Sequence, residues 1–271
     1  MTLDERRNAA VTDPKLLARV AYGDQRHLSA RQSLYRWQRP RYDLPGLVLQ
    51  ELAGTTGPVL DVGCGNGKFI ERLRRDRPDL PVVGLDVSPG ILAGVPGPVV
   101  TADASALPFA DGTADAVLAM HMIYHVRDVG AAVTELARVL GAAGVLVAST
   151  NSDRDKKELD ELWRRAAGDV LGTRDVPRRV SLSSRFSLEK APRHLSAAFG
   201  DVRVRELPGV MEITDPAPVV AHLASYEAWA GESGVPFTET VGRAEELAAD
   251  VIRNEGSFRI TCLGGVLVCR R

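Results

Sequence analysis

The stretch VLDVGCGNGKF, residues 59–69, decides the fold. An apolar run ends in Asp61, and Gly63, Gly65 and Gly67 follow at alternate positions. Residues 58–62 read as a buried strand. Residues 66–76 read as a helix with Phe69, Ile70 and Leu73 on one face. The first strand-to-helix turn of an open parallel sheet is where ligands approach the backbone, and glycine permits that approach. A dinucleotide loop of the form G-x-G-x-x-G would need its third glycine at Lys68, and no G-x-x-x-x-G-K-[ST] phosphate loop is present. Asp61 would repel a pyrophosphate but attract an ammonium or a sulfonium. The expected ligand is a nucleoside with a cationic tail and no phosphate.

Outward from this loop, further strands are expected at 81–86, 98–102, 115–120 and 144–150, separated by helices after Pro89 and at 129–140. Strands alternating with helices predict a parallel sheet covered on both faces. Later, 154–170 reads as an amphipathic helix, 173–186 as an Arg/Ser/Pro loop and 187–199 as a helix. Residues 201–207 read as a strand near the sheet edge, about 216–231 and 237–254 as helices, and 258–269 as a final strand. Asp86 ends the second strand, where a carboxylate can accept from both ribose hydroxyls; a helix cap before Pro89 is the alternative. Asp103 follows the third strand and suits an exocyclic adenine amine; a turn aspartate is the alternative.

In VLDVGCGNG, then GLDVS, then ADASALPFADGTADAVLAMHMIYHV, the chain resembles the class I S-adenosylmethionine-dependent methyltransferases of the type 11-like branch, over about residues 57–150. The resemblance implies an α/β, Rossmann-like, doubly wound seven-stranded sheet, mostly parallel with the last strand antiparallel, plus a helical cap. It implies that Asp61 and the Gly63, Cys64, Gly65, Asn66 and Gly67 backbone hold the amino-acid end of S-adenosylmethionine. Asp86 would hold the ribose, Asp103 and Ala104 the adenine, Val87 and Ser88 would line the adenosine, and His121 would sit beside the methionine end. The product would be S-adenosylhomocysteine.

Residues 1–45 are expected to form an amino-terminal helical lid. Residues 46–271 would be the core, with cap insertions at about 151–199 and 215–256. Methyl transfer needs a nucleophile in line with an already electrophilic methyl, and a base only where that nucleophile starts protonated. HMIYHV, residues 121–126, leaves the fourth strand, so His125 and Tyr124 are the catalytic candidates. Packing at a helix start is the alternative for both. Tyr22, Arg31 and Trp37 of the arm, with Asn151 after the fifth strand, are candidate substrate or lid linings. Cys64 lacks an adjacent base and reads as a small packed residue.

The three cysteines show no metal spacing, and no metal is expected; Asp153 and Asp155 alone make poor ligands. No apolar run reaches membrane-spanning length, and MTLDERRNAA is not a secretory leader, so a cytoplasmic protein is expected. Net charge is −1, which disfavours nucleic acid. Residues 1–45 do carry nine Lys/Arg against five Asp/Glu. Without N/D-P-P-Y/F after the fourth strand, and without cysteines before Cys64, amino-group methylation on adenine and a zinc-bearing rRNA enzyme are both disfavoured. The expectation is therefore methyl transfer to a small-molecule oxygen, nitrogen or carbon nucleophile, in a monomer or homodimer. An RNA methyltransferase using the basic arm, and a non-catalytic cofactor-binding regulator, are the alternatives.

Overall fold

The computed structural model describes residues 2–271. One sheet organises it. Its strands are β1 (Gln38–Arg39), β2 (Val59–Val62), β3 (Val82–Asp86), β4 (Val99–Thr101), β5 (Ala114–Met120), β6 (Leu140–Asn151), β7 (Asp201–Ile213) and β8 (Phe258–Arg270). The spatial order is β1-β7-β8-β6-β5-β2-β3-β4. From β4 to β6 every pair is parallel, and β8 inserts antiparallel between β6 and β7. The seven expected strands are all present, with the last antiparallel. The eighth, β1, corrects the reading of residues 1–45 as wholly helical: Gln38 and Arg39 pair with Met211 and Val210 at the edge of β7. Two residues are too few to show a period of two, so nothing in the sequence marks this strand.

Helices cover both faces, so the central strands are buried throughout. Leu60, Val62, Val117, Ala119, Leu146 and Ala148 face one way, onto the helix Val129–Val139. Their neighbours Val59, Ala116, Leu118, Val145 and Val147 face the other, with Val48 of helix Leu44–Glu51 and Ile70 and Leu73 of helix Lys68–Asp76. This alternation is the strand period expressed as two core layers.

Strand order reverses between β2 and β5, because β2 leads to β3 on one side and lies beside β5 on the other. The crevice beyond the strand ends opens there. β7 and β8 are longer than the sheet needs. Only residues 264–270 of β8 pair with β6, while β7 and β8 stay paired out to Ile213 and Phe258. The strand expected at 201–207 therefore runs on through Pro208. The Pro208 carbonyl faces outward to the Tyr42 hydroxyl at 2.8 Å, so the missing N–H is also on the outer side and no ladder bond to β8 is lost.

The projecting ribbon carries the cap. Met211, Ile213, Phe258, Ile260 and Cys262 form a third core with Leu159, Leu162 and Trp163 of helix Lys157–Leu171, Leu223 of helix Ala217–Ala224, and Leu247 of helix Phe237–Glu255. The helices expected at 187–199 and 216–231 are shorter, at Ala191–Leu195 and Ala217–Ala224. The arm contributes helices Leu3–Val11, Pro14–Leu16, continued by a π-turn over Leu17–Ala21, and Arg26–Ser33. A Thr2/Glu5 capping box starts the first of these.

Candidate functional site

A cavity of about 300 Å³ lies beyond the carboxyl ends of β2, β3, β5 and β6, with the arm and the cap closing it. Its floor is the glycine loop. Gly63 and Gly67 have φ of 69° and 74°, a region costly to side chains. A Cβ on Gly63 would stand 2.6 Å from Met122 Cβ, and one on Gly67 would stand 2.7 Å from Val95 Cγ1. The loop thus needs glycine both for its dihedrals and for its packing. Asp86 braces it, accepting from the Gly65 amide at 3.0 Å and from the Ser88 amide at 3.0 Å. Asp103 accepts from the Ser105 amide through Oδ1, closing an Asx turn.

Asp61 is the anomaly. It is fully buried, and neither carboxylate oxygen has a hydrogen-bond partner. Burial first, and the neighbouring Asp86 second, raise its pKa from 3.8 to about 7. Buried polar groups are normally satisfied. Two orphan acceptors in the wall of a cavity fit a donor-rich cation such as an ammonium group. Cys64 lines the same wall; burial pushes its thiol up and keeps it protonated.

The segment after β5 behaves differently from a row of free bases. His121 sits at φ 54°, strained for a side-chain-bearing residue, and its amide donates to Ser149 O at 3.1 Å. Burial, with Lys156 adding to it, lowers His121 to about 4. Burial raises Tyr124 well above the usual phenol value, so it keeps its proton. His125 is engaged at both nitrogens: Nδ1 lies 3.0 Å from the Val11 carbonyl and Nε2 lies 2.7 Å from the Tyr22 hydroxyl. A carbonyl only accepts, so Nδ1 carries the hydrogen and Nε2 accepts from Tyr22. Burial lowers this ring to about 4. While Tyr22 is docked, His125 has no nitrogen free for a substrate proton; it fastens the arm.

Of the other sequence candidates, Tyr22, Arg31, Asn66, Val87, Ala104 and Asn151 line the cavity. Gly67, Ser88 and Trp37 do not. Gly67 caps the helix Lys68–Asp76 from outside the cavity. The buried Ser88 hydroxyl is turned to the arm, donating to Ala18 O at 3.0 Å and Tyr22 O at 2.8 Å. Trp37 packs against the cap core because the chain turns there into β1. The helix Arg26–Ser33 lies over the glycine loop, with Asn66 Nδ2 donating to Gln32 Oε1 at 3.2 Å. Arg31 points inward, is 9% exposed, and donates through Nη1 to Ser225 O at 2.8 Å.

The far wall was not foreseen. Lys156, at φ 57°, is buried and donates to the Tyr35 hydroxyl at 2.9 Å beside Asp155. Burial opposes its charge, but Asp155 and Tyr35 outweigh that and hold its pKa above the usual lysine value. From the cap come Arg179, His222 and Tyr226. The loop at 173–186 and the helix at 217–224 carry no motif that announces these roles. The inward-facing His222 on an otherwise apolar helix is the one signal that could have been followed. Among the described residues no group of three or more His, Cys, Asp or Glu could hold a metal, and no helix is long and apolar enough to cross a membrane.

Residues 60–148 match the family model described as a methyltransferase domain. A malonyl-[acyl-carrier protein] O-methyltransferase of Legionella pneumophila is 33% identical over 126 residues, 44% of each chain. The chain thus spans less than half the length of that relative. Among solved structures, the YcgJ protein of Bacillus subtilis superposes with a TM-score of 0.53 at 17% identity, over 84% of this chain and 97% of that one. A Haemonchus contortus phosphoethanolamine N-methyltransferase, in complex with phosphomonomethylethanolamine and S-adenosylhomocysteine, gives 0.52 at 16% identity, over 94% and 59%. At these identities the structures speak for the fold.

Proposed function

We propose that this chain, which carries a class I S-adenosylmethionine-dependent methyltransferase domain, moves the methyl group of that cofactor to a small molecule enclosed by the arm and the cap. The observation that carries the reading is Asp61, buried in the glycine-loop wall with both oxygens unpartnered. A donor-rich cation would satisfy both oxygens and the charge together, and the α-ammonium of the cofactor is one. Asp86 would accept from the ribose hydroxyls with the lone pairs its two backbone contacts leave, and Asp103 from the adenine amine through Oδ2. Val87 and Ala104 would flank the adenosine.

When bound, the cofactor supplies an electrophilic methyl on sulfur. The chain's task is placement: an acceptor held in line at about 3–3.5 Å with water excluded can lower the barrier by roughly 7–11 kcal/mol. The arm supplies the exclusion, fastened by His125 and Ser88. His121 and His125 both stay neutral down to about 4, so neither ring is tuned to take a proton near neutral pH. Transfer here relies on positioning more than on proton removal, which suits an acceptor that is already nucleophilic.

The test is direct. Calorimetry of the pure protein should detect S-adenosylmethionine and S-adenosylhomocysteine. Incubation with methyl-labelled cofactor and a panel of small acceptors should then release S-adenosylhomocysteine. No binding of either molecule at millimolar concentration would end the cofactor reading. Binding without transfer to any acceptor would leave a cofactor-binding protein instead of an enzyme.

A further inference from the structure

We infer that the acceptor is an anion: the cap side of the cavity takes a small molecule bearing a carboxylate, which Arg179 and His222 hold against the Tyr226 ring. This rests on the methyltransferase reading and names the class of its acceptor.

Among the described residues, eight buried side-chain nitrogen or oxygen atoms have no partner, and six of them belong to cavity residues. They divide by chemistry. The two on Asp61 only accept. On the cap side, Arg31 Nη2 and Arg179 Nη1 only donate, and both ring nitrogens of His222 are unengaged. A buried polar group left unmatched is costly, so an occupant that supplied acceptors here would be rewarded. Each guanidinium is anchored by one edge: Arg31 on the Ser225 carbonyl, and Arg179 on Asp160 through Nε at 2.9 Å. The other edge is left over. The two guanidinium carbons stand 5.9 and 5.1 Å from the centre of the same Tyr226 ring, and His222 lies 5.6 Å from it. Burial first, and then Lys156, Arg179 and Arg31, keep His222 neutral.

Charge counting selects the anion. Arg179 is paired with Asp160 and Lys156 with Asp155, whereas no ion pair involves Arg31 among the described residues. Around the Tyr226 ring one positive charge is left over, that of Arg31, and a single excess charge matches a monoanion such as a carboxylate better than a phosphate dianion. The aromatic ring beside the cations would meet an apolar body. Arg31 supplies the unpaired charge but belongs to the helix over the glycine loop, where replacing it would also disturb the cofactor side, so Arg179, from the cap and beside the same ring, is the residue to test.

Protein loaded with S-adenosylhomocysteine is titrated calorimetrically with phenylacetate, phenylacetamide and phenyl phosphate. Phenylacetate should bind about tenfold or more tighter than the amide, since charge-assisted contacts are lost with it. Phenyl phosphate should not surpass it. Arg179→Gln should erase the preference and leave S-adenosylhomocysteine affinity unchanged; His222→Asn, checked by thermal melting, is the second variant. Equal binding of acid and amide would overturn the inference. So would a preference that survives Arg179→Gln, displacement of S-adenosylhomocysteine by phenylacetate, or a better fit of the phosphate. The unloaded protein separates the two readings. An Arg179-dependent acid preference there supports the anion site even if S-adenosylhomocysteine fails to bind. Cofactor binding without any acid preference sinks the anion site alone.

Discussion

Replacing Asp61 by asparagine keeps its shape and removes its charge, and two opposite effects should follow. In the unliganded fold the carboxyl is raised from 3.8 to about 7 by burial and by Asp86. Between about pH 4 and 7 the folded state keeps a proton that the unfolded chain has released, so stability falls as pH rises through that window. Above it the penalty levels off at up to roughly 4 kcal/mol. Asparagine carries no such penalty. The variant should therefore melt several degrees higher than the natural chain at pH 8 and match it near pH 4. Cofactor binding should change the other way. Losing a charged acceptor for an ammonium group costs about 1.5–3 kcal/mol, or roughly a 10- to 150-fold weaker S-adenosylhomocysteine complex. The natural chain's affinity should also fall as pH drops through about 7, and the variant's should not. Thermal melts across pH and calorimetry at pH 6 and 8 read both effects. An Asp61→Asn protein that binds S-adenosylhomocysteine as tightly as before, or melts lower at pH 8, would refute the assignment.

Asp86→Ala should weaken S-adenosylhomocysteine by about 1–3 kcal/mol and adenosine comparably, because the ribose acceptor and the brace on Gly65 go together; an unchanged calorimetric affinity would contradict this. Tyr22→Phe and His125→Ala should each lower turnover more than cofactor affinity. Their effects should be less than additive in a double-mutant cycle, since one contact is being removed twice; full additivity would show the arm is not held there. His125 is kept neutral down to about 4 against an ordinary 6.5, so the natural chain should lose stability as pH falls between those values. The His125→Ala melt should be flatter there. Ser88→Ala removes one hydroxyl donor shared by two arm carbonyls together with a helix cap, and should cost roughly 1–3 kcal/mol with faster proteolysis around residues 12–25.

The half of the site proposed for the cofactor is legible in the sequence because it is local. The glycine loop, Asp61, Asp86 and Asp103 sit at strand ends, and a strand end followed by a turn can be read from apolar runs and punctuation alone. The half proposed for the acceptor is not, because it is tertiary. Tyr35, Lys156, Arg179 and His222 come from four separate segments, and only the projecting β7–β8 ribbon with its helices brings them together. His125 shows the limit in another way. It lines the cavity, but a ring nitrogen's availability depends on what the arm places against it. The family resemblance points to Ser88 and the aromatics of the arm point to Trp37, but the fold uses Trp37 in the cap core and Ser88 against the arm.

The manner in which the arm is fastened bears on how such a site can diversify. Three of the core and cap groups that hold it, Ser88, His125 and Trp229, reach the main-chain carbonyls of Ala18, Tyr22, Val11 and Ala10. A carbonyl survives almost any substitution at its own position. Side chains along the roof other than Arg7, Tyr22, Arg31 and Gln32, which make fastenings of their own, can therefore be exchanged by mutation while these four contacts persist. A lineage built on this plan can drift toward new acceptors without first losing the closed chamber in which they would react.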